Sequence, residues 1–200
     1  MTASVQCIAS YHSGAVVVGS ALGSTITNGL TTVDIPATQA GDLILAFGSD
    51  QSNTLPTPSA GWDTVTTYGS PNAARITIVV SQIANGSAQT LSFQGQGNTT
   101  VPNTRYSGAI IFRSATGIGN VNAVGTNTQG ATFTANAMTL NHPPSITVVF
   151  SYYAGILSTT IANATIANGM IYTSSDTTFS GGTVTEATNS YLNYSTIEVY

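Results

Sequence analysis

Apolar side chains in this chain recur every second residue, and that period limits what it can fold into more than any other feature. In "ARITIVVSQI", Ile76, Ile78 and Val80 fall on one face and Thr77 and Ser81 on the other; in "PSITVVFSYY", Ile146, Val148 and Phe150 alternate with Thr147, Val149 and Ser151. Such alternation sends successive side chains to opposite faces of an extended strand. "TTVDI", "DLILAFGS", "WDTVTTY", "QTLSF", "SGAIIFRS", "ATFTANAMTL", "GMIYTSS" and "YSTIEVY" are rich in β-branched or aromatic residues and separated by Asn-Gly, Gly-Ser, Ser-Pro and Gly-Gly punctuation. No segment of helical length carries an apolar stripe of period 3.6 with caps and charged flanks. "TTIANATIANGM" reads as strand or loop because of its Thr, Asn and Gly.

The expectation is an all-β fold: a single antiparallel β-sandwich, jelly-roll-like, with roughly ten to thirteen strands in two packed sheets. It occupies residues 31–200. Residues 1–30 form an N-terminal arm or edge strands that contact a partner. The Gly-rich "GSALGSTITNG" and "QGQGNTTVPN" read as loops. "IPATQAGDLILAFGSDQ" and "LNHPPSITVVFSYYAG" echo each other as a turn followed by an apolar strand, which suits two related halves of one sandwich.

Charge then narrows the function. Charged residues are 5% of the chain, lysine is absent, and the formal net charge is −4. Nothing here neutralises phosphate, so nucleic-acid binding is excluded, and no apolar run is long enough to cross a membrane. Thr, Ser and Asn supply 70 of 200 residues, so hydroxyls and amides solvate the surface. A face with so little repulsion suits a fixed part of an assembly. Cys7 is the only cysteine, which precludes an internal disulfide and leaves stability to packing or partner chains. The N-terminus lacks the basic start and apolar length of a signal peptide, so the expected site of synthesis is the cytoplasm.

No catalytic or metal pattern emerges. Nucleophilic catalysis needs a base beside a nucleophile, and His12 and His142 stand in an N-terminal segment and in a rigid "NHPP" turn. One cysteine and two distant histidines do not make a zinc site, and "GSDQSN" lacks the acidic density of a calcium loop. Asp42, after Gly41, reads as a turn carboxylate. "GIGNVNAVG" has glycines without the helix a dinucleotide site needs. No cofactor is expected. Aromatic residues, including Trp62, Tyr152, Tyr153, Tyr191, Tyr194 and Tyr200, are material for a sugar-stacking face.

The Gly-Asp turn into "AGDLILAFGSDQ", the proline-bearing "TLPTPS", the Gly-Trp pair opening "GWDTVTTY", and then "ARITIVVSQIANGSAQTLSFQ" and "RYSGAIIFRSATGIG" resemble a sandwich domain of tailed-phage virion proteins, from about Val33 to Gly119. The resemblance implies a non-enzymatic virion structural protein. The reading is a capsid decoration (cement) protein on the outer shell, made in the host cytoplasm, contacting the major capsid protein or other virion proteins as a homo-oligomer such as a trimer. The alternative is a tail fibre or receptor-binding protein that recognises cell-surface carbohydrate. Under either, the candidate contact residues are His12, Asp50, Gln51, Asn53, Leu55, Tyr152 and Tyr153, with the loop from Asp50 to Ala60 docking a partner and Trp62 returning to the core.

Overall fold

In a two-sheet sandwich each strand buries one face, yet every residue from Leu43 to Asp50 is buried, as is every residue of Ser145–Ser151 and of Tyr194–Val199. Strands with no wet face must be covered on both sides. The computed structural model, which describes residues 15–25, 30–50, 54–70, 75–95, 106–126, 128–152 and 156–200, shows how.

The described residues form strands and no helix. The first half holds β1 (Val16–Leu22), β2 (Ser24–Thr25), β3 (Leu30–Ile35), β4 (Leu43–Asp50), β5 (Thr57–Pro58), β6 (Asp63–Ser70), β7 (Arg75–Ile83), β8 (Gln89–Gln94) and β9 (Tyr106–Arg113). The second holds β10 (Ile118–Val124), β11 (Gln129–Ala135), β12 (Met138–Thr139), β13 (Ser145–Ser151), β14 (Ile156–Thr159), β15 (Thr165–Ala167), β16 (Met170–Ser175), β17 (Thr178–Phe179), β18 (Gly182–Tyr191) and β19 (Tyr194–Val199). All pairings are antiparallel.

The expected all-β antiparallel architecture is present, but one sandwich of two packed sheets with ten to thirteen strands is not: the described residues form nineteen strands in five sheets. Two five-stranded sheets, β1-β9-β4-β7-β6 and β10-β19-β13-β16-β15, face each other. On the outer face of the first lies β2-β3-β8-β5; on the outer face of the second lie β11-β18-β14 and the short ribbon β12-β17. The result is four β layers with three apolar seams. Val33, Ile35, Leu91 and Phe93 meet Ile44, Ala46, Ile78 and Ile111 in the first sandwich. Phe133, Ala135, Ile156 and Val184 meet Val149, Ile171 and Tyr194 in the second. Between the sandwiches, Leu43, Leu45, Phe47, Ile110 and Phe112 oppose Ile146, Val148, Phe150, Ile197 and Val199. Each large side chain buried in these seams contributes roughly 1.5–3 kcal/mol.

The two halves repeat one topology. Exchanging β1, β9, β4, β7 and β6 for β10, β19, β13, β16 and β15 carries one inner sheet onto the other in unchanged order, and β3-β8-β5 maps likewise onto β11-β18-β14. Register repeats as well: Leu43 and Leu45 pair with Phe112 and Ile110, as Ile146 and Val148 pair with Val199 and Ile197. One register irregularity recurs, between Val17 and Gly19 on β1 and between Ile118 and Val121 on β10, while those on β6, β11 and β14 have no counterpart. Bulges bend and twist the strand that carries them, so the same bulge in both halves marks the same fold. The echo between "AGDLILAF" and "PPSITVVF" is thus the echo of β4 and β13, each central in its own sheet.

A pseudo-two-fold axis running along the strands relates the halves. Phe47 and Phe150, equivalent residues, meet across it with ring centroids 5.4 Å apart. The crossing is close at the edges too: a Cβ on Gly125, after β10, would collide with the Gly69 backbone of β6, and Asn168 Nδ2 bonds Ser20 Oγ of β1 at 3.0 Å.

Local expectations shift as well. "GSALGSTITNG" is not all loop, because Gly19–Leu22 closes β1 and Ser24–Thr25 forms β2; an edge strand tolerates Gly and Ser when a neighbour supplies the ladder. Of the 1–30 segment, β1 and β2 are edge strands, while residues 1–14 and 26–29 lie outside the described residues. Trp62 is half-buried against the first seam rather than a core residue.

Candidate functional site: the shared loop end

Because β1, β4 and β6 run parallel to one another, as do β10, β13 and β15, and because the halves are related along the strands, β4 and β13 finish at the same end of the molecule. The candidate residues Asp50 and Tyr152, drawn from two distant parts of the chain, therefore come to one end on opposite sides of the pseudo-axis.

Polar groups stitch this end together. Tyr106, opposite Ser49 on β9, meets Tyr152 edge to face with centroids 6.0 Å apart at 80°. The Tyr68 hydroxyl donates to the Phe150 carbonyl at 3.2 Å, and Ser49 Oγ and Thr77 Oγ1 share a hydrogen bond of 2.9 Å. Burial pushes the Tyr68 phenol far above its ordinary value, so it stays a neutral donor. Asn193, after β18, accepts the Thr126 N–H at 2.7 Å. Asp50 is 0% exposed and Glu186 is 4% exposed. Exposed here are Thr54 and Leu55 ahead of β5, Gln94, Gly125, and Leu157 of β14.

The opposite end is closed by carboxylates. Asp42 accepts the Gln39 N–H at 2.9 Å and pairs with Arg113 at 3.2 Å through both oxygens, so the turn carboxylate also clamps β9. Glu198 is more completely held. Its Oε2 accepts the N–H groups of Asn120 and Asn141 at 2.8 and 2.9 Å. Its Oε1 accepts the His142 N–H at 2.7 Å and the Ser145 hydroxyl at 2.9 Å. Burial acts to raise its pKa, but these donors together outweigh burial and hold it below the usual carboxylate value. Beside it, the His142 ring stacks on Tyr200 at 3.7 Å, and Asn120 and Asn141 exchange amide hydrogen bonds of 3.1 and 2.8 Å at the surface. "NHPP" is a turn into β13, as its prolines suggest, and its backbone is what Glu198 binds.

Among the described residues no group of three or more His, Cys, Asp or Glu is placed to hold a metal ion. A shallow cleft of about 260 Å³ beside β12 and β17 is lined by Ala137, Met138, Thr139, Thr178, Phe179 and Ser180, without an acid, base or thiol.

Of the seven candidate contact residues, His12, Gln51, Asn53 and Tyr153 lie outside the described residues. Asp50 and Tyr152 are buried, and Leu55, 39% exposed, offers its side chain to solvent. Tyr194, a candidate for a sugar platform, is stacked on Phe133 at 4.8 Å inside the second sandwich. Sequence reasoning missed Leu157, 65% exposed. Compared with known proteins, the chain matches no family model, no curated protein and no solved structure.

Proposed function

We propose that this protein is a non-enzymatic structural protein of a phage virion, a capsid decoration (cement) protein on the outer shell that strengthens contacts between capsomers. The observation that carries this reading is the packing of four layers that brings the strand ends of both sandwiches to one side of the molecule. At one end, buried carboxylates are consumed by backbone donors and by Arg113, which makes them staples of the fold. At the other, both sandwiches deliver strand ends side by side and expose leucine, threonine and glutamine. Four tightly packed layers suit a part that must hold shape under load, and loop ends of sandwiches are ready contact surfaces. The resemblance of Val33–Gly119 to tailed-phage virion sandwiches supports the same reading. The deciding experiment is the copy number of this chain relative to the major capsid protein in purified particles, by quantitative mass spectrometry. Hundreds of copies are expected, and absence from particles overturns the proposal.

The second reading, a receptor-binding tail protein for cell-surface carbohydrate, draws on one observation: the exposed His142 ring stacked on Tyr200 beside the Asn120–Asn141 amide pair. Planar rings with adjacent amides are material for holding a sugar. A handful of copies per particle, with saccharide binding abolished by His142→Ala, would select it.

A further inference from the structure

We infer that Asn85 is a modification site built into the chain, where the protein's own backbone converts a side-chain amide to a carboxylate. The inference stands apart from the virion reading. Asn85 and Gly86 lie between β7 and β8, and Asn85 is exposed. Its Oδ1 accepts the Ser87 N–H at 2.9 Å. A bond from an asparagine side chain to the N–H two residues on folds that side chain over the intervening peptide, which carries its Cγ toward the Gly86 nitrogen. Glycine brings no Cβ to obstruct the approach, Gly86 sits at a φ of 93°, and among the described residues no acceptor holds its N–H.

The step is an intramolecular acyl transfer. The Gly86 nitrogen attacks Asn85 Cγ and gives its proton to a solvent base; negative charge gathers on Oδ1, where the Ser87 N–H already donates, and the Cγ–Nδ2 bond breaks with loss of ammonia. Water then opens the cyclic imide at either carbonyl, leaving aspartate or isoaspartate at position 85. The product adds one negative charge to a chain whose net charge is −4. It does so one residue beyond Ala84, whose N–H and C=O bond the Asp42 carbonyl and the Gly41 N–H.

A second Asn-Gly pair shows what the structure adds to the dipeptide. Asn168 and Gly169 form the two-residue turn between β15 and β16, with φ of 49° and 73°. Asn168 Nδ2 donates to Ser20 Oγ of β1 at 3.0 Å. That bond draws the amide away from its own peptide and holds the nitrogen that would have to leave. One pair is thus poised and the other tethered; Asn28 and Gly29, a third, lie outside the described residues.

The test holds the folded chain at mildly alkaline pH beside a sample unfolded in urea and follows each site by peptide mass spectrometry. Trypsin cuts after Arg75, Arg105 and Arg113, which separates position 85, in residues 76–105, from position 168, in residues 114–200. Unfolded, the two pairs should convert at similar rates; folded, position 85 should stay fast while position 168 falls at least roughly tenfold behind it. Ser87→Pro removes the donor from an exposed bend and should slow position 85 several-fold with the melting point held. Equal rates at the two positions in the folded chain, or a folded Ser87→Pro variant that converts as fast as its parent, overturns the inference.

Discussion

Replacing Glu198 by glutamine isolates the most fully satisfied charge in the structure. The carboxylate takes two donors on each oxygen: Asn120 and Asn141 N–H on Oε2, His142 N–H and Ser145 O–H on Oε1. A glutamine amide turns its NH₂ toward His142 and Ser145, where the serine hydroxyl, which also donates to the His142 carbonyl, can accept from it, so the His142 N–H is the donor left without an acceptor. With one buried donor left unpaired, the change should destabilise by roughly 1–3 kcal/mol. For a chain of this size that lowers the melting point by on the order of 5 °C. The pH dependence supplies an independent check. The folded-state pKa is depressed below the unfolded value, so the contribution is complete above about pH 4.3 and is lost as pH falls through the folded pKa. Calorimetric melting between pH 3 and pH 7 reads both effects. The melting point of the unsubstituted chain should decline on acidification, and Glu198→Gln should remove Glu198's share of that slope. A variant as stable as the parent at neutral pH, or one with an unchanged acid limb, would refute the reasoning.

Three further perturbations follow from the same geometry. The hydroxyls of Thr147 and Thr196 are buried without a partner in the second sandwich, so Thr147→Val and Thr196→Val should each raise stability by roughly 1 kcal/mol in denaturant titration. Phe47→Ala and Phe150→Ala should each cost about 3–5 kcal/mol. A double-mutant cycle on this pair should return a coupling of roughly 0.5–1.5 kcal/mol, and additivity would dissolve the contact across the pseudo-axis. Asp42→Ala removes a buried carboxylate from both a turn N–H and Arg113, whereas Arg113→Ala removes a side chain that is 40% exposed. Asp42→Ala should therefore be the more damaging, by about 1–2 kcal/mol in chemical unfolding; equal costs would mean the turn bond contributes nothing.

The strands with strong alternation or unbroken apolar runs, β4, β7, β8, β9, β13, β16 and β19, are legible from their own residues. β10, β14 and β18 are not, because Gly, Asn, Ser and Thr there satisfy no hydrophobic template and become strands through a neighbour's ladder; β1 opens on three valines and is masked only by the Gly-Ser break that follows them. The candidate site is half legible. Asp50, Leu55 and Tyr152 stand beside apolar runs and so read as strand-end residues, but that Asp50 and Tyr152 are buried while Leu157 is exposed depends on which sheet covers each strand.

By itself the sequence determined the β class, the positions of the central strands and the neutral, hydroxyl-rich surface, since a period of two and the chemistry of a side chain are local properties. Only the tertiary structure decided that there are four layers instead of two, that the chain is one sandwich built twice, and that equivalent strands of both copies end on the same side. Sheet partners such as β1 and β9, or β10 and β19, are far apart in the chain, and nothing local names them. The repeat stayed hidden because equivalent positions need only similar burial: Ile44 and Ile111 in the first half correspond to Thr147 and Glu198 in the second, and the buried carboxylate stands where its counterpart is hydrocarbon because loop backbone donors reach it there.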